Sequence, residues 1–98
     1  MHACGHDAHV AILMGVAEIL AGMREEIAGT VKFLFQPNEE GSYDGRPSGA
    51  QAMIDDGVFD DPVPTAVFGL HVTSAQASGV IALRPGGLMA SAAVRFSW

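Results

Sequence analysis

Apolar positions recur at helical spacing from about residue 7 to residue 23. Val10, Leu13, Met14, Ala17, Leu20 and Ala21 form one stripe, and Ile12, Val16 and Ile19 fill much of the opposite side. A helix apolar nearly all round is one that buries itself between other elements, with Met14, Met23 and, further on, Met53 as core filler. Asp7 suits its start, as N-cap or as a first-turn charge that complements the helix dipole. Arg24, Glu25 and Glu26 mark the exit to solvent, and Gly29 closes the connection. The period then changes. Residues 30–35 (TVKFLF) are β-branched, aromatic and almost continuously apolar, which predicts a strand covered on both faces, as in a parallel sheet. Pro37 ends it, and the polar, glycine-rich residues 38–48 read as a loop. Residues 49–56 predict a short helix with Ala50, Met53 and Ile54 turned inward and Gly57 as its stop. Beyond a turn holding Pro62 and Pro64, residues 66–72 (AVFGLHV) predict a second buried strand. Residues 79–84 predict a third, and residues 92–98 the start of a fourth.

This alternation predicts an α/β fold: a mostly parallel, buried sheet flanked by helices. In open sheets of that kind, ligands gather beyond the carboxyl ends of the strands. Glu39 and Glu40 follow the first strand, and His71 ends the second. Cys4 and His6 lie directly before the long helix, where a preceding strand would deliver them.

Composition sharpens the picture in two ways. The 98 residues are 49% hydrophobic but only 16% charged, against about 25% charged in ordinary globular chains. A small domain has much surface for its volume and needs more charge, not less, so the deficit suggests a piece of something larger. The formal net charge is −6, and five scattered Lys and Arg residues offer no phosphate-binding patch, which argues against nucleic acid as a partner. The apolar stretch 10–23 contains Glu18 and falls short of the ~20 residues that span a bilayer, so no membrane partner is expected. No basic segment precedes it, as a signal peptide would require, and the acidic balance fits a cytoplasmic protein. A single cysteine excludes an intrachain disulfide.

Cys4, His6, Glu40 and His71 together offer a thiolate, two imidazoles and a carboxylate. That set suits zinc and tolerates cobalt, nickel or manganese. Adjacent carboxylates invite a division of labour, with Glu40 on a metal and Glu39 moving a proton between water and a leaving nitrogen. Each residue also has an ordinary use. A histidine at a strand end is commonly hydrogen-bonded structure, paired glutamates in a loop are commonly solvated, and a thiol beside a helix start is commonly a small apolar residue. His2 reads as a strand-end residue and His9 as helix surface or a support behind the ligands. Spacing alone leaves the metal and structural readings level.

At these residues the sequence resembles a known family. MHACGHDAHVAILMG, GTVKFLFQPNEEG, AVFGLHV and GVIALRPGGLMAS occur in the order found in M20-type metallopeptidases. The resemblance is to the amidohydrolase branch, with its hippurate hydrolases, N-acyl-L-amino acid amidohydrolases and auxin-conjugate hydrolases, and it covers essentially the whole chain. It implies that Cys4, His6, Glu40 and His71 occupy metal-ligand positions, that Glu39 is the catalytic acid/base, and that Asp7 supports or caps. It also implies a zinc-peptidase-like catalytic domain holding two divalent ions (zinc, manganese, cobalt or nickel). Residues 1–91 would be part of that domain, and 92–98 the strand leading into a dimerisation and lid domain. The implied partners are an N-acyl amino acid substrate and a second subunit in a homodimer or larger homo-oligomer.

Three features depart from the family pattern. Asn38 stands where alanine is usual, and the loop GSYDGRPSGA is longer than the usual link. An upstream aspartate, a lid histidine and a late C-terminal histidine have no counterpart in the chain, as for a domain truncated at both ends. Little turnover is therefore expected of these 98 residues alone. Two other readings stay open: a non-catalytic module that binds metal or only self-associates through exposed sheet edges, and a Cys4 nucleophile with His6 or His71 as base.

Overall fold

A computed structural model of the chain describes residues 4–41 and 45–83. Two helices form among them: α1, His6–Gly22, and α2, Gly49–Asp55. Both lie within a residue of the helices that the apolar pattern predicts. The predicted Arg84, the segment 92–98, the boundary at 91/92 and His2 lie outside the described residues.

α1 starts without a side-chain cap. Gly5 takes the N-cap position at φ 79°, and its carbonyl accepts from both Ala8 N at 3.0 Å and His9 N at 3.3 Å. A left-handed residue there favours glycine, since a Cβ would crowd the next carbonyl. Asp7 is therefore not the cap but an exposed charge in the first turn, where it complements the helix dipole. α2 is bounded at both ends by recognisable devices. Ser48 Oγ accepts from Gln51 N at 3.4 Å, while Gln51 Nε2 runs forward to Asp55 Oδ1 at 2.8 Å instead of back to the cap. At the other end Val58 N reaches Met53 O at 3.0 Å and Gly57 N reaches Ile54 O at 2.9 Å, with Gly57 at φ 78°. That pair of bonds around a left-handed glycine is the Schellman motif, the stop that Gly57 predicts.

The predicted sheet is absent from the described residues. Segments 30–35, 66–72 and 79–83 are irregular, and no backbone hydrogen bond joins one to another. A strand exists only through its ladder, and the β-tendency of a TVKFLF or AVFGLHV run is a fit to a pleated, half-buried surface rather than a property of the backbone. Such a surface is lacking here: Phe68 is 93% exposed, and Val31, Phe35, Val67, Leu70, Val80 and Ile81 are exposed with it. Segment 30–35 is held instead by one polar side chain. Lys32 Nζ donates to Val58 O at 2.9 Å and to Asp61 O at 2.8 Å, pinning the segment to the turn after α2.

The expectation of a buried long helix also fails. No residue of α1 is buried; Met14 is 61% exposed and Ile19 63%. One stripe is half-covered: His6, His9, Leu13, Ala17 and Leu20 recur at three- and four-residue steps along a single face. The two histidines at its N-terminal end bring that face to the candidate site. Ala50, Met53 and Ile54 of α2 are likewise half-buried rather than core. Among the described residues no hydrophobic side chain is fully buried, so geometry at the site rests on local backbone devices.

Candidate metal centre

Three stretches far apart in sequence meet at the start of α1. Cys4 precedes the cap, and His6 opens the helix. Glu39 and Glu40 are the two central residues of a turn closed by Gly41 N donating to Asn38 O at 3.2 Å. Asn38 adopts φ 45°, a left-handed conformation that asparagine tolerates better than alanine. Its carbonyl also accepts from Gly49 N at 3.2 Å, which ties the turn to the first residue of α2. Gly49 is buried there, and a Cβ on it would lie 1.5 Å from Pro37 O. The turn and α2 can approach this closely only because position 49 has no side chain.

Both carboxylates face the same nitrogen. His6 Nε2 lies 3.5 Å from Glu39 Oε2 and 3.7 Å from Glu40 Oε1. These distances are within ion-pair range, yet His6 Nε2 is itself buried and has no hydrogen-bond partner. Pairs of such exposed carboxylates contribute about 0–1 kcal/mol, so they do not hold the turn in place. The backbone does. Cys4, His6 and Glu40 bring one donor atom each to within 4.8 Å of one another. His71 is not within that cluster; its Nε2 lies 3.9 Å from Cys4 Sγ. Cys4 is thus near both an imidazole from segment 66–72 and the imidazole–carboxylate pair of α1 and the turn. An open cleft of about 380 Å³ lies beside it, lined by Cys4, Gly5, His71, Val72, Thr73 and Ser74. Among the described residues Asp7 forms no hydrogen bond or ion pair with any of these side chains.

The residues fit a divalent ion. Ligands at about 2.0–2.3 Å around a tetrahedral zinc lie roughly 3.3–3.8 Å apart. The His6–Glu40 separation is already in that range, and the wider cluster needs only small side-chain adjustments. A buried imidazole nitrogen with no hydrogen-bond partner costs free energy unless something accepts its lone pair or takes its proton. A cation between His6, Glu40 and Cys4 would resolve that cost.

His9 is the residue whose part the sequence left undecided. Its Nε2 accepts from Val72 N at 2.8 Å, and its ring meets His71 edge-on with centroids 4.7 Å apart. The available signal was its position, three residues after His6 on the same helix face.

A cluster of thiol, imidazole and carboxylate donors with a second carboxylate alongside defines a candidate metal centre of hydrolytic type. The whole chain, residues 1–98, matches Peptidase family M20/M25/M40, and it belongs to that family. It is 46% identical over 94 residues to IAA-amino acid hydrolase ILR1-like 6 of Arabidopsis thaliana, covering 96% of this chain and 19% of that protein. It is 46% identical over 91 residues to Thermostable carboxypeptidase 2 of Saccharolobus solfataricus, covering 93% and 22%. It is 44% identical over 92 residues to the N-acetyldiaminopimelate deacetylase of Exiguobacterium sibiricum, covering 94% and 23%. The chain therefore spans about a fifth of the length of these relatives. No solved structure matches it significantly. No helix among the described residues is long and apolar enough to cross a membrane.

Proposed function

We propose that this chain is the ligand-bearing part of a metal-dependent amidohydrolase that cleaves the amide bond of N-acyl amino acids. The observation that carries the reading is the buried, unpartnered His6 Nε2, set among Cys4 and Glu40 with Glu39 alongside at 3.5 Å. Cys4, His6, Glu40 and His71 would hold the divalent ions, zinc, manganese, cobalt or nickel by donor type. When bound, such an ion polarises a carbonyl oxygen and acidifies water. Glu39, the carboxylate left outside the donor cluster, takes a proton from the attacking water and returns it to the amide nitrogen as the carbon–nitrogen bond breaks. The products are a carboxylic acid and a free amino acid, with water supplying the hydroxyl and the proton. Asp7 contributes charge at the start of α1 rather than a contact to the donors.

The substrate class draws support from the relatives' names, which specify an IAA-amino acid in one case and N-acetyldiaminopimelate in another. The open cleft beside Cys4 and His71 would accept a small molecule. Assembly into a homodimer or larger homo-oligomer, by family resemblance, and a cytoplasmic location, by the acidic balance, belong to the same reading.

The Cys4–His71 pair supports a second reading, in which the thiol is a nucleophile and His71 its base. One experiment separates the two. Metal content of the purified chain is measured after incubation with zinc or cobalt, for the wild type and for Cys4→Ala, with circular dichroism on the same samples. The metal reading expects stoichiometric ion in a folded wild type and its loss on substitution. A folded wild type that takes up no ion, with thiol reactivity indifferent to chelator, would overturn it in favour of the nucleophile.

A further inference from the structure

Val72 is held by two hydrogen bonds and lies close against Gly5. Its N–H donates to His9 Nε2 at 2.8 Å, its carbonyl accepts from His71 Nδ1, and its Cγ2 lies 2.9 Å from where a Cβ on Gly5 would stand. The two hydrogen bonds place a proton on one nitrogen of each ring. A nitrogen that accepts an N–H carries no proton, so His9 is protonated on Nδ1. A nitrogen that meets a carbonyl must donate, so His71 carries a proton on Nδ1 and turns its Nε2 toward Cys4 Sγ at 3.9 Å. The His9 ring also braces the His71 ring edge-on, with an interplanar angle of 63°. α1 thus supplies His6 to the donor cluster and, one helical turn later, the residue that fastens the His71 segment to the same helix.

We infer that His9 is a positioning residue for His71: by accepting the Val72 amide and bracing the neighbouring ring, it holds His71 Nε2 toward Cys4 without itself binding metal. This rests on Cys4 and His71 being ligands. A support behind a metal-binding histidine sets ring orientation and tautomer, and its loss is felt at the metal although the ligand set is intact. The small Gly5 matters to the same arrangement, because a side chain there would strain the left-handed backbone and crowd the Val72 Cγ2 methyl.

The test uses two substitutions in the full chain. His9→Phe keeps a ring and removes the acceptor, whereas His9→Gln keeps an acceptor at similar reach and removes the ring. In the metal-free wild type, long-range proton–nitrogen spectra should show His9 protonated on Nδ1, and a nuclear Overhauser contact should join the His71 ring to the Cys4 β-protons. That contact should persist in His9→Gln and vanish in His9→Phe. Titration with Co²⁺, read by its thiolate charge-transfer band, should show affinity about 10–100-fold weaker in His9→Phe and within about threefold of wild type in His9→Gln. A His9→Phe chain that keeps both the contact and the affinity, or a wild-type His9 protonated on Nε2, would overturn the inference. A wild type that binds no Co²⁺ would instead remove the metal reading, and the metal-free spectra would still decide whether His9 positions His71.

Discussion

Replacing Gly49 by alanine sets two effects of opposite sign against each other. Helix propensity alone says that a glycine inside a helix, changed to alanine, stabilises by up to about 1 kcal/mol. The packing says otherwise. The added Cβ would lie 1.5 Å from Pro37 O and 2.5 Å from Pro37 C, both backbone atoms that no rotamer change can move. Non-bonded heavy atoms rest at about 3.5–4.0 Å, so α2 and residue 37 must separate by roughly 2–2.5 Å. The Gly49 N to Asn38 O hydrogen bond, now 3.2 Å, would not survive that separation, a loss of about 1 kcal/mol. Forcing bulk into a tight contact typically costs about 1–3 kcal/mol, so the net effect is destabilising. The displacement reaches the site directly, because Asn38 opens the turn that carries Glu39 and Glu40. Metal ligands work within about ±0.2 Å of ideal distances, so the shift should lower metal affinity at least about tenfold. Urea unfolding followed by circular dichroism, with Co²⁺ titration of the same preparations, measures both effects. A Gly49→Ala chain that is more stable than wild type and binds Co²⁺ equally would refute the account of how the turn is placed.

Three further substitutions probe the remaining devices. Gly57→Ala puts a side chain on a left-handed residue and against Asp60 Oδ2 at 2.6 Å; the carboxylate can swing away, so the cost is the backbone strain of about 1–2 kcal/mol, seen as lost α2 helicity. Lys32→Met keeps the stem but removes the donor to Val58 O and Asp61 O; the site is exposed, so about 1 kcal/mol is expected, with faster amide exchange across residues 58–61. Ile19→Ala should change stability by less than about 0.5 kcal/mol, because the side chain is 63% exposed. A loss of about 2–5 kcal/mol, the range for a core isoleucine, would show α1 to be covered in solution.

What the sequence made legible was local. The extent of α1 followed from apolar spacing between residues 7 and 23, and the end of α2 from Gly57, because a left-handed stop is decided within a few residues. Family resemblance put Cys4, His6, Glu39 and Glu40 together as candidates; in the structure Cys4, His6 and Glu40 bring donor atoms within 4.8 Å of one another, and Glu39 lies 3.5 Å from His6 Nε2. Of the two parts open to Asp7 by type, cap or first-turn charge, it takes the second, because Gly5 takes the cap position by conformation. The sheet was misread for a different reason. TVKFLF and AVFGLHV carry the composition of covered strands, but composition cannot supply a neighbouring strand, and among the described residues none pairs with them.

The same contrast explains how a site can be assembled where, among the described residues, no hydrophobic side chain is fully buried. A packed core fixes functional groups indirectly, by making every displacement costly. Here three short-range constraints act on the donor-bearing stretches themselves: Gly5 starts α1 and leaves room for Val72, the Asn38–Gly41 turn presents the glutamates, and Gly49 lets that turn sit on α2. None of the three depends on the apolar faces of α1 or on segments 66–72 and 79–83 being covered. Substitutions on those exposed faces should therefore leave metal affinity nearly unchanged, whereas a single methyl at Gly5 or Gly49 should weaken it. If Ile19→Ala or Leu83→Ala weakened Co²⁺ binding as much as Gly49→Ala does, the site would depend on covered apolar faces after all, and this local account of its construction would fail.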